Sequence, residues 1–304
     1  MYVLTGATGG LGSQVLQFLL KLVPSDQIIV SMYNTSSAAS AHLSSLGVTV
    51  RRGDYNDPDS LNSAFAGGTK LLIVSSPSIS DLERFHHHKA AIDAAVDVGI
   101  KHIYYTSLAF ASDSVTAVMK AHIRTEEYLK SKDIRYTIIR EGIYSESIGL
   151  YLGFFDPTFL QEETVIKVPG DGGIAWASRR DLGAGTAKLL TVDDYTNQTV
   201  LLSGDKAYTI TETAALVGKD VQKNVKTEIV SVDEYVDIVG KGRLGPKFAR
   251  LWATTYDGLK RGECATVDPL LEHLIGRLTP LEDVLRELLL KEGESQSNVN
   301  QYAK

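Results

Sequence analysis

The sequence predicts an α/β fold, a doubly wound parallel sheet of Rossmann type followed by a smaller, discontinuous C-terminal α+β domain. Three observations carry that expectation. In the first half, short apolar and β-branched runs alternate with longer amphipathic ones, the pattern of a parallel sheet covered by helices. A glycine-rich turn stands directly between the first strand candidate and the first helix candidate. After about Tyr144 the rhythm changes to aromatic and glycine-rich segments such as Leu150 to Phe155 and Val168 to Trp176.

Taken in order, strands are expected at Tyr2 to Thr5, Ile28 to Met32, Val48 to Arg52, Leu71 to Ser75, His102 to Thr106 and Tyr136 to Arg140, each short and internal in character. Helices between them include Leu11 to Leu22 and Asp81 to Val98, the second stopping before Gly99. Arg180 to Val192 reads as a helix and Thr199 to Ser203 as a strand that returns to the main sheet. The first domain is therefore expected over residues 1–150 with 180–204 rejoining it, and the second over 151–179 and 205–292. Further helices are expected at Ile210 to Val217, Val232 to Val239, Lys247 to Lys260 and Leu281 to Leu290, and the polar residues 293–304 read as a disordered tail.

Composition narrows the classes of function. With 31 Lys and Arg against 37 Asp and Glu, the net charge is -6, and such a field repels a phosphate backbone, so direct nucleic-acid binding is not expected. The single cysteine, Cys264, can form no internal disulfide, and no cysteine cluster supports a structural zinc. There is no apolar run of bilayer length and no charged n-region of a signal peptide, so the expectation is a cytoplasmic protein with no membrane partner.

Val3-Leu4-Thr5-Gly6-Ala7-Thr8-Gly9-Gly10-Leu11-Gly12 spaces Gly6, Gly9 and Gly12 as GxxGxxG, immediately after a strand and opening a helix. Glycines allow the tight turn and the close approach of a pyrophosphate, which the free N–H groups of a helix N-terminus then receive. Gly6, Thr8, Gly9, Gly10, Leu11 and Gly12 are accordingly the candidate pyrophosphate contacts. At the end of the second strand, Ser31 to Ser37 contains no carboxylate to bind a ribose 2′-hydroxyl and no arginine to bind a 2′-phosphate. Tyr33 could lie against adenine, and the hydroxyls and Asn34 could accommodate a 2′-phosphate. The reading leans to NADP, with NAD possible; an undiscriminating polar loop stays open.

These residues, with Gly53-Asp54-Tyr55-Asn56-Asp57, Lys101-His102-Ile103-Tyr104-Tyr105-Thr106-Ser107, His122-Ile123-Arg124-Thr125-Glu126 and Trp176-Ala177-Ser178-Arg179-Arg180-Asp181-Leu182, resemble the NmrA-like atypical short-chain dehydrogenase/reductases. The flavour is that of the NAD(P)H quinone oxidoreductase and triphenylmethane reductase group. The resemblance implies cofactor contacts at Asp54 near adenine, at Ser75 and Ser76, and at Thr106 and Ser107, all at carboxyl ends of strands, where doubly wound sheets bind ligands. For Asp54, the capping of a turn is the alternative.

The wider superfamily uses a tyrosine followed four positions later by a lysine on one helix. Aligning His122 and Glu126 with the lysine and acidic positions puts Val118 in the tyrosine position, and valine has no proton to give. His122 could hold the nicotinamide ribose or supply a proton; equally, it could form only an i, i+4 pair with Glu126. Tyr144, just after the sixth strand, is a second candidate for substrate contact or proton donation. The family usually carries asparagine where Glu141 stands. Tyr151, Phe154, Phe155, Phe159 and Trp176 could line a site for a flat substrate or form the ordinary core of the second domain. His86-His87-His88 cannot converge on one ion from consecutive helical positions, and is read as partly exposed helix residues.

The leading expectation is an NAD(P)H-dependent reductase of a quinone-like or conjugated aromatic electrophile, because hydride addition to such an acceptor gives a delocalised product that needs no strong general acid. Two alternatives stand beside it. One is a non-catalytic NAD(P)-binding redox sensor acting through a protein partner, and the other a tailoring reductase or isomerase of secondary metabolism. A homodimer is compatible with each.

Overall fold

The computed structural model describes residues 1–155, 161–242 and 245–290; Phe159 and the tail expected at 293–304 lie outside them. The described chain forms two compact units. The first comprises Met1–Leu108, Ala121–Glu141 and Arg179–Leu202, and the second Ala109–Lys120, Gly142–Ser178 and Ser203 onward.

In the first unit, β1 (Tyr2–Thr5), α1 (Gly10–Leu19), β2 (Ile28–Met32), α2 (Ala38–Ser45), β3 (Thr49–Arg52), α3 (Pro58–Phe65), β4 (Lys70–Ile73), α4 (Asp81–Asp97), β5 (His102–Leu108), α5 (Met119–Lys130) and β6 (Arg135–Glu141) follow one another. All seven strands of the sheet are parallel, in the order β3-β2-β1-β4-β5-β6-β9, where β9 is Gln198–Leu202. The inner strands β1, β2 and β4 are buried on both faces because helices cover both, whereas the edge strand β3 carries Arg51 and Arg52 and is partly exposed. One face carries Val3, Ile29, Leu71, Ile73, Ile103, Tyr105 and Ile138, packed against Leu61 and Phe65 of α3, Ala91, Ile92 and Ala95 of α4, and Leu129 of α5.

After β6 come α6 (Ile148–Tyr151), β7 (Glu163–Val168) and β8 (Gly173–Ile174), and the chain re-enters the first unit through α7 (Arg179–Thr191) and β9. Helix α7 lies against α1, and the contact is close enough that a Cβ on Gly183 would come 2.4 Å from Cβ of Gln14 and 2.9 Å from the backbone nitrogen of Val15.

The second unit holds β7 parallel to β11 (Asn224–Ile229) and β8 antiparallel to β10 (Tyr208–Thr209). Its helices include α8 (Ile210–Asp220), α9 (Val232–Val239), α10 (Gly245–Lys260), α11 (Leu270–Ile275) and α12 (Leu281–Leu290). Thr209 and Glu212 form a reciprocal capping box at the start of α8, which fixes that helix boundary. Of the aromatic residues weighed as a substrate lining, Tyr151 and Trp176 are core: they meet edge to face at 5.4 Å, and Trp176 Nε1 donates to Thr213 Oγ1.

Two boundaries differ from the sequence reading. Residues 109–120 belong to the second unit, where the Ala117 N–H donates to Thr254 Oγ1, and the first unit leaves off at Glu141 rather than near residue 150. His88 is a correction of another kind. It is fully buried rather than partly exposed, because it shares the inward stripe of α4 with Ala91, Ile92 and Ala95.

Candidate cofactor and active site

The site begins at the glycine turn. Gly6 adopts φ +65°, in the left-handed region, and its carbonyl accepts from the Gly9 N–H at 3.0 Å. A Cβ on Gly12 would lie 2.1 Å from that carbonyl oxygen, so the first turn of α1 can close onto the loop only with glycine there. Gly9 is the N-cap of α1 and supplies no side-chain cap, and the first turn holds no acidic residue. The N–H groups at this helix start are left for an anion, which fits the pyrophosphate of a dinucleotide.

One residue at the turn had been given no role. Arg179, the first residue of α7 and buried, lies over the loop: a Cβ on Gly10 would stand 3.2 Å from its Cδ and Nε atoms. Its motif was visible in the sequence, but its proximity to Gly10, contributed by a distant segment, was not.

At the adenosine end Tyr33 is 70% exposed and open to stacking, and the Asn34 side chain accepts from the Ser36 N–H. Asp54 follows the turn alternative: its Oδ1 accepts from the Asn56 N–H at 2.9 Å and its Oδ2 pairs with Arg52 at 3.3 Å. Arg52 is a second residue the sequence reading missed. It sits at the end of β3 in register with Met32 at the end of β2, and it also binds Asp57 at 2.7 Å. The neighbouring strand thus brings a cation, paired with two carboxylates, beside the β2 loop that has none.

Ser76, Thr106 and Ser107 use their side chains to tie elements together, and Ser75 does so through its backbone N–H. Thr106 Oγ1 accepts from the Ser75 N–H, Ser76 Oγ bonds to His87 Nδ1 at 2.8 Å, and Ser107 donates to Glu126 Oε1 at 2.6 Å. Glu126 in turn receives both Nε and a terminal nitrogen of Arg140, at 3.0 and 2.8 Å, in a nearly buried fork.

The i, i+4 reading of His122 and Glu126 is not what forms. With Glu126 committed to Ser107 and Arg140, the His122 ring turns to Tyr105, whose hydroxyl lies 2.8 Å from Nδ1. Burial holds the His122 pKa well below its ordinary value, with Arg84, His88 and Arg140 adding to the effect, so the ring is neutral around pH 7. The shift favours the neutral ring over an imidazolium at this position. Val118 immediately precedes α5 and carries no proton donor. Tyr144 lies in the second unit, where it precedes a short 3-10 turn at Ser145–Ser147 and bridges to Ala177. Among the described residues no group of three or more His, Cys, Asp or Glu is placed to hold a metal ion, and no helix is long and apolar enough to cross a membrane.

A parallel seven-stranded sheet with a glycine turn at its first crossover defines a Rossmann-type protein. The chain belongs to the NmrA-like family, whose model matches residues 2–250. It is 35% identical over 279 residues to quinone oxidoreductase 2 of Escherichia coli, covering 92% of this chain and 95% of that one. An NmrA-like family domain-containing oxidoreductase of Aspergillus flavus is 33% identical over 299 residues, with 95% of each chain covered. Among solved structures, the NADPH complex of the E. coli NADPH-dependent quinone oxidoreductase superposes with a TM-score of 0.84 at 33% identity, covering 95% of this chain and 99% of that one. The triphenylmethane reductase of Citrobacter sp. complexed with NADP(H) gives 0.82 at 34% identity, with the same coverage.

Proposed function

We propose that this chain is an NADPH-dependent reductase of quinone-like or other conjugated aromatic electrophiles, working in the cytoplasm. The observation that carries the reading is the uncapped start of α1 beneath a Gly6–Gly12 contact that no side chain would permit. The similarity to quinone and dye reductases over nearly the whole chain supports the acceptor class. When bound, NADPH supplies the hydride.

What the protein contributes follows from its own residues. The α1 N-terminus and Arg179 receive the pyrophosphate, Arg52 and Tyr33 face the adenosine end, and Ser76, Thr106 and Ser107 define the strand ends along which the dinucleotide extends. No tyrosine acid stands at position 118, and neutral His122 does not replace it as a strong acid. This limits the chemistry to acceptors whose reduced form delocalises its charge, as a quinone does, so that solvent can complete the protonation.

The test is a titration of the purified protein with NADPH and NADH, followed in the same sample by quinones, triphenylmethane dyes and enones while cofactor absorbance is recorded. Multiple turnovers with NADPH and a quinone or dye are expected. Tight binding without turnover on any acceptor would replace the reductase with a cofactor sensor, and no binding of either cofactor would overturn the assignment of the turn.

A further inference from the structure

A continuous hydrogen-bonded chain of buried groups runs from the end of β4 to the candidate active-site histidine, and its direction can be read from the donors. The Ser76 N–H donates to His88 Nε2 at 2.9 Å, so that nitrogen carries no proton. His88 is buried and its pKa is pushed down to about 3, chiefly by burial, so the ring is neutral and its proton must be on Nδ1. That Nδ1 lies 2.8 Å from Thr125 Oγ1, whose own hydrogen is given to the Ala121 carbonyl at 2.7 Å; Thr125 therefore accepts. The Tyr105 oxygen is 3.3 Å from the same protonated Nδ1 and can only accept there. Thr125 and Ser75 also neighbour this hydroxyl, but its short hydrogen bond is the 2.8 Å one to His122 Nδ1, and the hydroxyl hydrogen is placed there. His122 is left as the tautomer with its proton on Nε2, and that N–H makes no hydrogen bond to a described residue.

We propose that Tyr105 and His88 are positioning residues that lock His122 in the Nε2–H tautomer, making it a neutral hydrogen-bond donor for an oxygen of the bound ligand. In the reductase reading, on which the ligand's identity rests, that oxygen is the one gaining negative charge as the acceptor takes up hydride. Carbon–hydrogen bond breaking in the dihydronicotinamide delivers two electrons and a proton equivalent as hydride, the quinone becomes a hydroquinone monoanion, and solvent supplies the second proton. His122 keeps its own proton throughout and stabilises the anion through the hydrogen bond. The lock matters because the other tautomer would present a bare lone pair to that oxygen, turning attraction into repulsion. The chain also begins at Ser76, so the same serine whose hydroxyl meets His87 anchors the tautomer through its backbone.

The experiment reads the tautomer directly, by long-range proton–nitrogen correlation on the full chain labelled with nitrogen-15 at histidine, with His122→Gln used to assign the signals. The wild-type protein is expected to show His122 as the single Nε2–H tautomer from about pH 6 to about pH 8. Tyr105→Phe should convert it to a tautomer mixture and lower kcat about tenfold while KM for NADPH moves less than about twofold. His122→Gln, which retains an N–H donor, should keep more kcat than His122→Ala. A wild-type Nδ1–H tautomer, or one unchanged by Tyr105→Phe, would overturn the proposal, and the first of these requires no variant to fold. A locked tautomer in a protein that turns over no acceptor would sink the reductase reading and leave the lock standing.

Discussion

The Thr186 hydroxyl of α7 donates a 2.7 Å hydrogen bond to one oxygen of Glu141 at the end of β6, while the other carboxyl oxygen has no hydrogen-bond partner among the described residues. Burial raises the Glu141 pKa to about 8, against the lowering effect of the Thr186 bond, so the group is held as a neutral acid over most of the physiological range.

A carboxyl whose pKa is raised on folding stabilises the native state most when it is protonated in both states. Its contribution is full below the ordinary carboxyl value and is lost as pH rises toward the folded value of about 8. Wild-type stability should therefore decline across that window by an amount on the order of a few kcal/mol. Glu141→Gln should flatten the decline and unfold at higher urea than wild type near pH 8. Identical pH profiles of the urea midpoint in the two proteins would show that Glu141 is ionised in the fold.

Two glycines separate a loss of fold from a loss of binding. A Cβ on Gly12 strikes the Gly6 carbonyl, whereas one on Gly9 has its nearest neighbour at 3.3 Å. Gly12→Ala should lower the melting temperature and abolish binding together. Gly9→Ala should leave the melting temperature within a few degrees of wild type and weaken NADPH, followed by its fluorescence, at least about tenfold. Unchanged affinity in Gly9→Ala would mean that the pyrophosphate does not approach the turn.

Arg179 lies against Gly10, and in the proposed reading its guanidinium meets the pyrophosphate. Its removal should act on binding rather than on the reacting atoms, so Arg179→Met is expected to raise KM for NADPH about tenfold or more, with kcat little changed. A fall in kcat at constant KM would move Arg179 from the pyrophosphate to the chemistry.

Cofactor choice should depend on Arg52. Its guanidinium lies beside the end of β2, paired with Asp54 and Asp57, and in the proposed reading it exchanges part of that pairing for a 2′-phosphate. Arg52→Ala is expected to reduce the ratio of kcat/KM for NADPH over NADH about tenfold while leaving NADH itself unaffected. An unchanged ratio would assign discrimination to the Ser31 to Ser37 loop alone.

The sheet could be read because each strand is a short apolar run bounded by a turn, and the observed strands lie within two residues of those expected in the first unit. The short helix α2 escaped notice for a physical reason: it buries only Ser40 and Leu43, and is started by the Ser37 side chain rather than by an apolar stripe. The site divides the same way. A local motif such as Gly6 to Gly12 carries its own geometry, whereas Arg52 beside Met32, Arg179 over Gly10 and Tyr105 on His122 are pairings made by register and helix packing. His88 shows the limit from the other side, since three consecutive histidines look alike in sequence and only the helical phase decides which one turns inward.

The late return of the chain to its first unit has a kinetic meaning. The outer edge of β6 is paired only when β9 arrives, and α1 is covered by α7 just before it. A nascent chain that has emerged only as far as Glu141 therefore carries an unpaired parallel edge and an uncovered apolar helix face, both open to association with other chains. Ribosome-bound fragments ending there should be the aggregation-prone stage of synthesis, and completion through Leu202 the point at which the dinucleotide-binding unit becomes able to fold.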